Sequence, residues 1–496
     1  MENDRIYRDC LKILEIERSK SVLKYRYKSI ELWPWVRRCI LDSYLKQRRG
    51  IEIKSIKKNN LLNLKLFATH LLILIRSKRR FNTQLKELNI EKTQVLIADQ
   101  QDDYIDKFNN RSYNRYCDPF YEILKKTKKI TKITTTTNST FNPLYPSLTI
   151  HCEELLLYNY SKYYLLSFFT TKSIRKIFMR LARDLNLTID LTFCVNNFIK
   201  VLAYEHLFSK VLSKSKPKVV FFKMFYSIEN MGLTLAAKKL GIKVVDIQHG
   251  KNGKYNHMMS CWSIFPKNGY KLLPDFFWTW GDFFSNNITE YFPKELIHHQ
   301  TISGGNIWLS KCIHENPFQL NSDQSLFLKK IQSKRCILFA LQPLGKENTI
   351  PKWMVNVIAA NHDLFWLIRR HPRQSTEDVN YRGIEKMKNV NIDYASSLPL
   401  STLLKNCCYN VTLWSSVCID ALEFNIRSAI IHPEGFKIYE GEIKDKIFDY
   451  CTNEINLTLA LNKRNMVRVN NKKMISDFDS IEQNLNGFTN GIFKTT

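Results

Sequence analysis

The sequence predicts an α/β protein built of two Rossmann-like domains facing across a cleft, preceded by a basic, helical N-terminal region. Three observations predict it. From about residue 93, short apolar runs alternate with helical segments, the pattern of parallel sheets covered by helices on both faces. A glycine pair, Gly304-Gly305, separates one such set from a second. In both sets apolar runs end in polar loops bearing His, Arg or Ser, and open α/β sheets bind ligands outside the carboxyl ends of their strands.

The N-terminal region, residues 1–90, holds 22 Lys or Arg against 9 Asp or Glu, within a chain whose formal net charge is +29. A field of that size favours polyanions: nucleic acid, anionic lipid headgroups or phosphorylated substrates. Within it Leu61, Leu64, Leu71, Leu72 and Ile75 recur near helical spacing and run into Arg76, Lys78, Arg79 and Arg80. The pattern fits an interfacial helix with a cationic end, and fits equally a core helix with a solvated end. The apolar stretch from Leu61 to Ile75 includes Lys65 and His70 and is shorter than the roughly 20 residues that a membrane-spanning helix needs. No signal peptide is visible, and the 12 cysteines show no C-x-x-C pair and no zinc-ligand spacing, so a reducing, cytoplasmic setting is expected.

The first Rossmann-like domain is expected over residues 91–310. Its candidate strands are Val95–Ala98, Ile130–Thr134, Val219–Phe222, Val244–Ile247 and Phe277–Trp280, with a helix over Glu229–Leu240 that ends at Gly241. The second is expected over residues 311–465. Its strands are Ile337–Leu341, Phe365–Ile368, Tyr409–Leu413 and Ala429–Ile431; its helices are Gln324–Ile331, Trp353–Ala360, Leu400–Lys405 and Val417–Phe424. Residues 466–496 read as a C-terminal tail.

Three loops carry the chemistry. Gln248-His249-Gly250 closes the strand ending at Ile247, with a glycine that lets other atoms approach. His249 is the leading candidate for a general base, because histidine titrates near neutral pH, and Glu229, one strand earlier on the same edge, is second. Glu229 also fits a structural acid in the first turn of its helix. Gln248, Gly250 and Asn230 are expected beside them, toward the acceptor. In the second domain, Arg370-His371-Pro372 forms a rigid cationic loop suited to phosphate. Ser415 and Ser416 precede a helix whose first backbone N–H groups suit an anion, and Asp420 lies one turn along, within reach of a ribose hydroxyl. A cap and a first-turn acid are the plainer reading of the same residues.

Several classes are excluded or disfavoured. No G-x-G-x-x-G and no G-x-x-x-x-G-K-[ST] occurs, which removes support for a dinucleotide cofactor or a P-loop. The chain has no RNP1-like motif, zinc finger or interpretable helix-turn-helix, so nucleic acid is not the expected partner despite the charge. No cofactor and no metal is expected.

Gln248-His249-Gly250, Arg370-His371-Pro372 and Ser415-Ser416-Val417-Cys418-Ile419-Asp420-Ala421 together resemble the GT-B glycosyltransferases of bacterial surface polysaccharide assembly. That group includes capsule Kdo transferases, polysialyltransferases and teichoic acid glycerophosphotransferases. The likeness covers roughly residues 217–450; Trp33-Pro34-Trp35-Val36-Arg37 and Tyr116-Cys117-Asp118-Pro119-Phe120 extend it loosely toward capsule and O-antigen proteins. Asp420 stands where glutamate is usual. The resemblance implies a cytoplasmic, peripheral inner-membrane enzyme that moves a sugar from a nucleotide donor, cytidine-linked by preference, to a lipid-linked glycan. It implies donor binding by Arg370, His371, Ser415, Ser416 and Asp420, and acceptor chemistry at His249. A nucleotide-sugar epimerase of the same fold and a basic nucleic-acid-binding protein are the alternatives.

Overall fold

The computed structural model of the chain describes residues 3–19, 21–48, 68–78, 83, 88–108, 111–136, 142–151, 158, 161–162, 165, 173–187, 189–251, 256, 258–315, 317–372, 374–462 and 480–495. The chain divides into two compact units, Arg8–Gly305 with Ser476–Thr496, and Asn306–Ile475 with Met1–Tyr7.

Two short strands, β1 (Arg26–Tyr27) and β2 (Ile30–Glu31), form a hairpin near the start of the first unit. Its sheet is built from β3 (Val95–Gln100), β6 (Ile130–Thr136), β7 (Leu148–His151), β8 (Val219–Lys223), β9 (Lys243–Ile247), β10 (Phe276–Thr279) and β11 (Gln300–Ser303). A small hairpin of β4 (Asp106–Phe108) and β5 (Arg111–Tyr113) lies between β3 and β6 in the chain. The seven strands are parallel, in the order β11-β10-β9-β8-β3-β6-β7. The sheet of the second unit comprises β12 (Arg335–Ala340), β13 (Leu364–Arg369), β14 (Val390–Asn391), β15 (Tyr409–Thr412), β16 (Ser428–Ile430) and β17 (Asp449–Tyr450), parallel in the order β14-β13-β12-β15-β16-β17. In each sheet the chain builds outward from its first strand, returns, and builds the other way. The order therefore reverses between β3 and β8 and between β12 and β15, the places where a crevice opens at the carboxyl edge.

Every strand expected from apolar runs is present, because strands buried on both faces need continuous apolar sequence. The edge strands β7, β11, β14 and β17 were not anticipated. The helix Leu191–Ser215, also unanticipated, is buried along most of its length and packs beside the helix Ile228–Lys239. Gly232 permits that close approach: a Cβ there would lie 2.4 Å from the Tyr204 Cβ.

Part of the N-terminal region is built into the first unit. Trp33 and Trp35 are fully buried on the helix Trp33–Arg48. Trp35 Nε1 donates to the Cys194 carbonyl at 3.0 Å, and its ring stacks on Phe193. The tail residues also return to this unit. In the helix Ile481–Thr495, Phe488 packs on Phe221, Phe276 and Trp278.

Candidate functional site

In the first unit, five segments meet at the carboxyl edge around the reversal between β3 and β8. Lys223 ends β8 and pairs with Asp103 in the turn after β3. The Lys223 ammonium lies 4.7 Å from the centre of the Tyr116 ring, a cation–π contact. Tyr116 meets His249 edge-on, with centroids 6.5 Å apart, and Tyr226 places its hydroxyl 3.4 Å from His249 Nε2. Tyr116 is held from behind by a buried polar cluster. Lys132 pairs with Asp118 and with Asp99 Oδ2 at 3.2 Å, while Asp118 accepts from the Asn114 N–H at 2.8 Å. Burial raises Asp118 to about 6.

His249 differs electrostatically from the sequence expectation. Burial, and then the positive charge of Lys223, lower its pKa to about 4. The imidazole is therefore neutral at pH 7, able to accept a proton but a weaker base than an exposed histidine. Glu229 is engaged on both carboxylate oxygens, accepting from Tyr204 Oη at 2.8 Å and from the Gln100 amide. Burial raises its pKa.

Gln248 and Asn230, expected to face the acceptor, have their amides turned inward. Gln248 is buried, accepts from the Trp280 N–H at 2.8 Å, and donates to the Gly250 carbonyl at 2.8 Å. Asn230 donates to the carbonyls of Lys223 at 2.7 Å and Met224 at 3.2 Å. That bracing holds Met224 in the left-handed region, at φ 65°. Both residues act as supports that fix the two loops flanking His249. A Cβ on Gly250 would meet nothing within 4 Å among the described residues. Asp246, beneath the same loop, accepts from the Phe225 N–H at 3.1 Å; it is buried, which raises its pKa well above the usual carboxylate range.

In the second unit Arg370 and His371 follow β13, and Ser415 and Ser416 follow β15. The two strands are separated only by β12, so their ends lie about 10 Å apart, two strand spacings. Arg370 donates from its backbone N–H and its Nε to Ser396 Oγ, at 3.2 and 3.3 Å, and its guanidinium also bonds Thr376. The His371 N–H donates to Gln374 Oε1 at 3.3 Å. Ser415, expected as a cap, does accept from the Val417 N–H, at 3.3 Å. Ser416 occupies the N-cap position with helical backbone angles and makes no side-chain cap. Its hydroxyl is therefore not engaged as the sequence suggested, because capping geometry requires an extended backbone at that position. Asp420 sits in the first turn of this helix, half-buried. Cys418 Sγ and Tyr439 Oη both donate to the Ser415 carbonyl, at 3.0 and 3.2 Å, and fix the turn.

Sequence reasoning did not single out Tyr116, Tyr226, Lys223 and Asp103 as the surroundings of His249. Among the described residues no group of three or more His, Cys, Asp or Glu side chains could hold a metal ion. The sequence contains one D-x-D triplet, Asp477-Phe478-Asp479, outside the described residues, so its composition gives no argument against metal dependence.

No protein-family model and no curated protein matches the chain. Solved structures do. The UDP-GlcNAc 2-epimerase of Methanocaldococcus jannaschii is 13% identical with a TM-score of 0.50, over 80% of this chain and all of that one. The UDP-GlcNAc 2-epimerase of Neisseria meningitidis, bound to UDP-GlcNAc, is 12% identical with a TM-score of 0.48, over 81% and 100%. The wall teichoic acid polymerase TagF is 11% identical with a TM-score of 0.41, over 88% and 93%. At these identities the first likeness shows the fold alone: the chain has two Rossmann-like domains of the GT-B type.

Proposed function

We propose that the protein is a glycosyltransferase that moves a sugar from a nucleotide-activated donor to a lipid-linked surface glycan, working in the cytoplasm at the inner membrane. The observation that carries the reading is the placement of His249, Arg370, His371, Ser415 and Ser416. All of them follow strands at the carboxyl edges of two parallel sheets that share one strand order. In this reading the donor nucleotide lies on the second unit. Arg370, His371 and the backbone N–H groups after Ser415 receive its phosphates, and Asp420 contacts the ribose. The neutral His249 imidazole accepts the proton of the acceptor hydroxyl, whose oxygen then bonds to the anomeric carbon. The bond from that carbon to the donor phosphate breaks, and the charge left on the nucleotide is stabilised by the cationic loop and the helix terminus. No cofactor or metal takes part in the proposed step. Tyr226 and Lys223 join His249 as the residues that orient it and keep it neutral.

The test is calorimetric titration of CMP, CDP, UDP and GDP into the wild type and into His371→Ala, at about 0.15 M salt, where surface attraction is partly screened. The expected result is saturable binding of one nucleotide that the variant loses. Equal weak binding of all four by both proteins would refute a donor site. A second reading, a nucleotide-sugar epimerase, is favoured by the fold shared with the M. jannaschii epimerase. Incubation with the bound nucleotide's sugar conjugate and no acceptor separates the two readings, since only an epimerase yields an isomeric nucleotide sugar.

A further inference from the structure

One surface of the first unit has no role in the proposed chemistry. Residues 68–78 form a helix in the basic N-terminal region. Its inner face is anchored by buried His70, whose Nδ1 lies 3.0 Å from Ser161 Oγ. The outer face is apolar and open to solvent: Leu71 is 43% exposed, Leu72 53% and Ile75 66%. These are the stripe residues that the helical spacing singled out, and those among them that are described face solvent instead of a core. Ala68, Arg76 and Lys78 are exposed alongside them. A single exposed leucine needs no explanation, but three on one face of one helix, next to cations, form a contiguous patch.

The surrounding sequence sets the sign of the partner. Between Glu52 and Glu87 the chain carries nine Lys or Arg and no Asp or Glu. We infer that the helix of residues 68–78 docks in the plane of an anionic lipid bilayer, with Leu71, Leu72 and Ile75 in the acyl boundary and Arg76 and Lys78 among the headgroup phosphates. The apolar run from Leu61 to Ile75 is 15 residues long and includes Lys65 and His70, short of the roughly 20 residues that a crossing helix needs, so the segment is placed along the interface and not across it. Apolar burial and attraction to anionic lipid act together in such helices. A nucleic acid would satisfy the cations and leave the leucines in water. A protein partner or a second copy would cover the leucines without calling for a run of nine cations with no acid between them. This docking deepens the membrane setting of the proposed function and rests on this surface alone.

The test is co-sedimentation of the full chain with vesicles of phosphatidylglycerol and phosphatidylethanolamine, and with phosphatidylcholine vesicles, without nucleotide or acceptor. The wild type is expected to partition onto the anionic vesicles and to be released as salt rises. Leu72→Glu/Ile75→Glu is expected to lower that partition about tenfold or more. Leu72→Ser/Ile75→Ser, which removes apolar area without adding charge, should lower it too, and Arg76→Gln/Lys78→Gln should weaken it on anionic vesicles only. All six changes are at exposed positions, and nucleotide titration of each variant reports whether the fold and the proposed donor site are intact. Wild-type partition by both apolar variants, or no partition by the wild type, would overturn the inference. So would a concentration-dependent dimer abolished by Leu72→Glu/Ile75→Glu, or RNA binding that only the Arg76/Lys78 variant loses. None of these outcomes bears on sugar transfer, whose failure is read from the nucleotide and product assays.

Discussion

Replacing Arg37 by methionine should strongly destabilise the first unit, and the structure gives the size of the effect. The Arg37 side chain is wholly buried. Its Nη1 donates to Glu17 Oε1 at 2.9 Å and to the Cys261 carbonyl at 2.9 Å; its Nη2 donates to the Ser260 carbonyl at 2.6 Å. The guanidinium also stacks 3.7 Å from the centre of the Trp262 ring. Glu17 in turn accepts from Trp33 Nε1 at 2.6 Å and from Ser263 N and Oγ at 2.7 and 2.8 Å. Methionine fills much of the volume but leaves the Glu17 carboxylate buried without its counter-ion and takes the Arg37 bonds from the carbonyls of Ser260 and Cys261. Removing one partner of a buried pair costs about 3–5 kcal/mol. Arg37→Lys keeps the charge but not the planar fork and should fall between the two. Arg37→Met/Glu17→Gln removes both charges and should cost less than the sum of the single changes, with a coupling of about 0.5–3 kcal/mol. The assay is urea unfolding followed by far-ultraviolet circular dichroism and tryptophan fluorescence, fitted to the transition of the first unit, since a chain of two units is not expected to unfold in one step. A loss below about 1 kcal/mol for Arg37→Met, or strict additivity of the pair, would refute the reasoning.

The remaining expectations concern the two candidate loops. With the pKa of His249 near 4, the acid limb of kcat/KM for transfer should lie near pH 4 and not near 6.5; Lys223→Met, which removes a positive charge, should move it upward. His249→Gln should lower turnover about 100-fold or more while leaving nucleotide binding intact, and unchanged turnover would remove His249 from the mechanism. Burial raises the pKa of Asp246, so this group binds more protons folded than unfolded and its contribution to stability declines as pH rises above about 4. Asp246→Asn should therefore flatten that slope in denaturation measured from pH 4 to 8, whereas Asp246→Ala, which orphans the Phe225 N–H, should cost about 1–3 kcal/mol at neutral pH. At Gly435 a Cβ would sit 2.1 Å from the Leu413 carbonyl oxygen, so Gly435→Ala should cost about 1–3 kcal/mol and, by shifting the turn before Ser415, weaken nucleotide binding in the same titration.

The amino-acid order of this chain was enough to reveal the inner strands of its two sheets and the loops that end them. A strand buried on both faces must be apolar throughout, as Val219-Val220-Phe221-Phe222 and Ile337-Leu338-Phe339 are, and the polar residue that follows must stand at the sheet edge. The edge strands escaped for the converse reason. Gln300-Thr301-Ile302-Ser303 is half-solvated, and Val390-Asn391 and Asp449-Tyr450 are too short to show a period. The helix Leu191–Ser215 was hidden by its burial, which leaves it without the broad polar face that marks an amphipathic helix. Folding alone decided what surrounds His249. Tyr116 comes to it from one segment and Lys223 and Tyr226 from another, and its fall in pKa arises from burial and from a lysine 26 positions away in sequence. Desolvation and Coulomb interaction depend on distances in space, and spacing along a chain does not encode them.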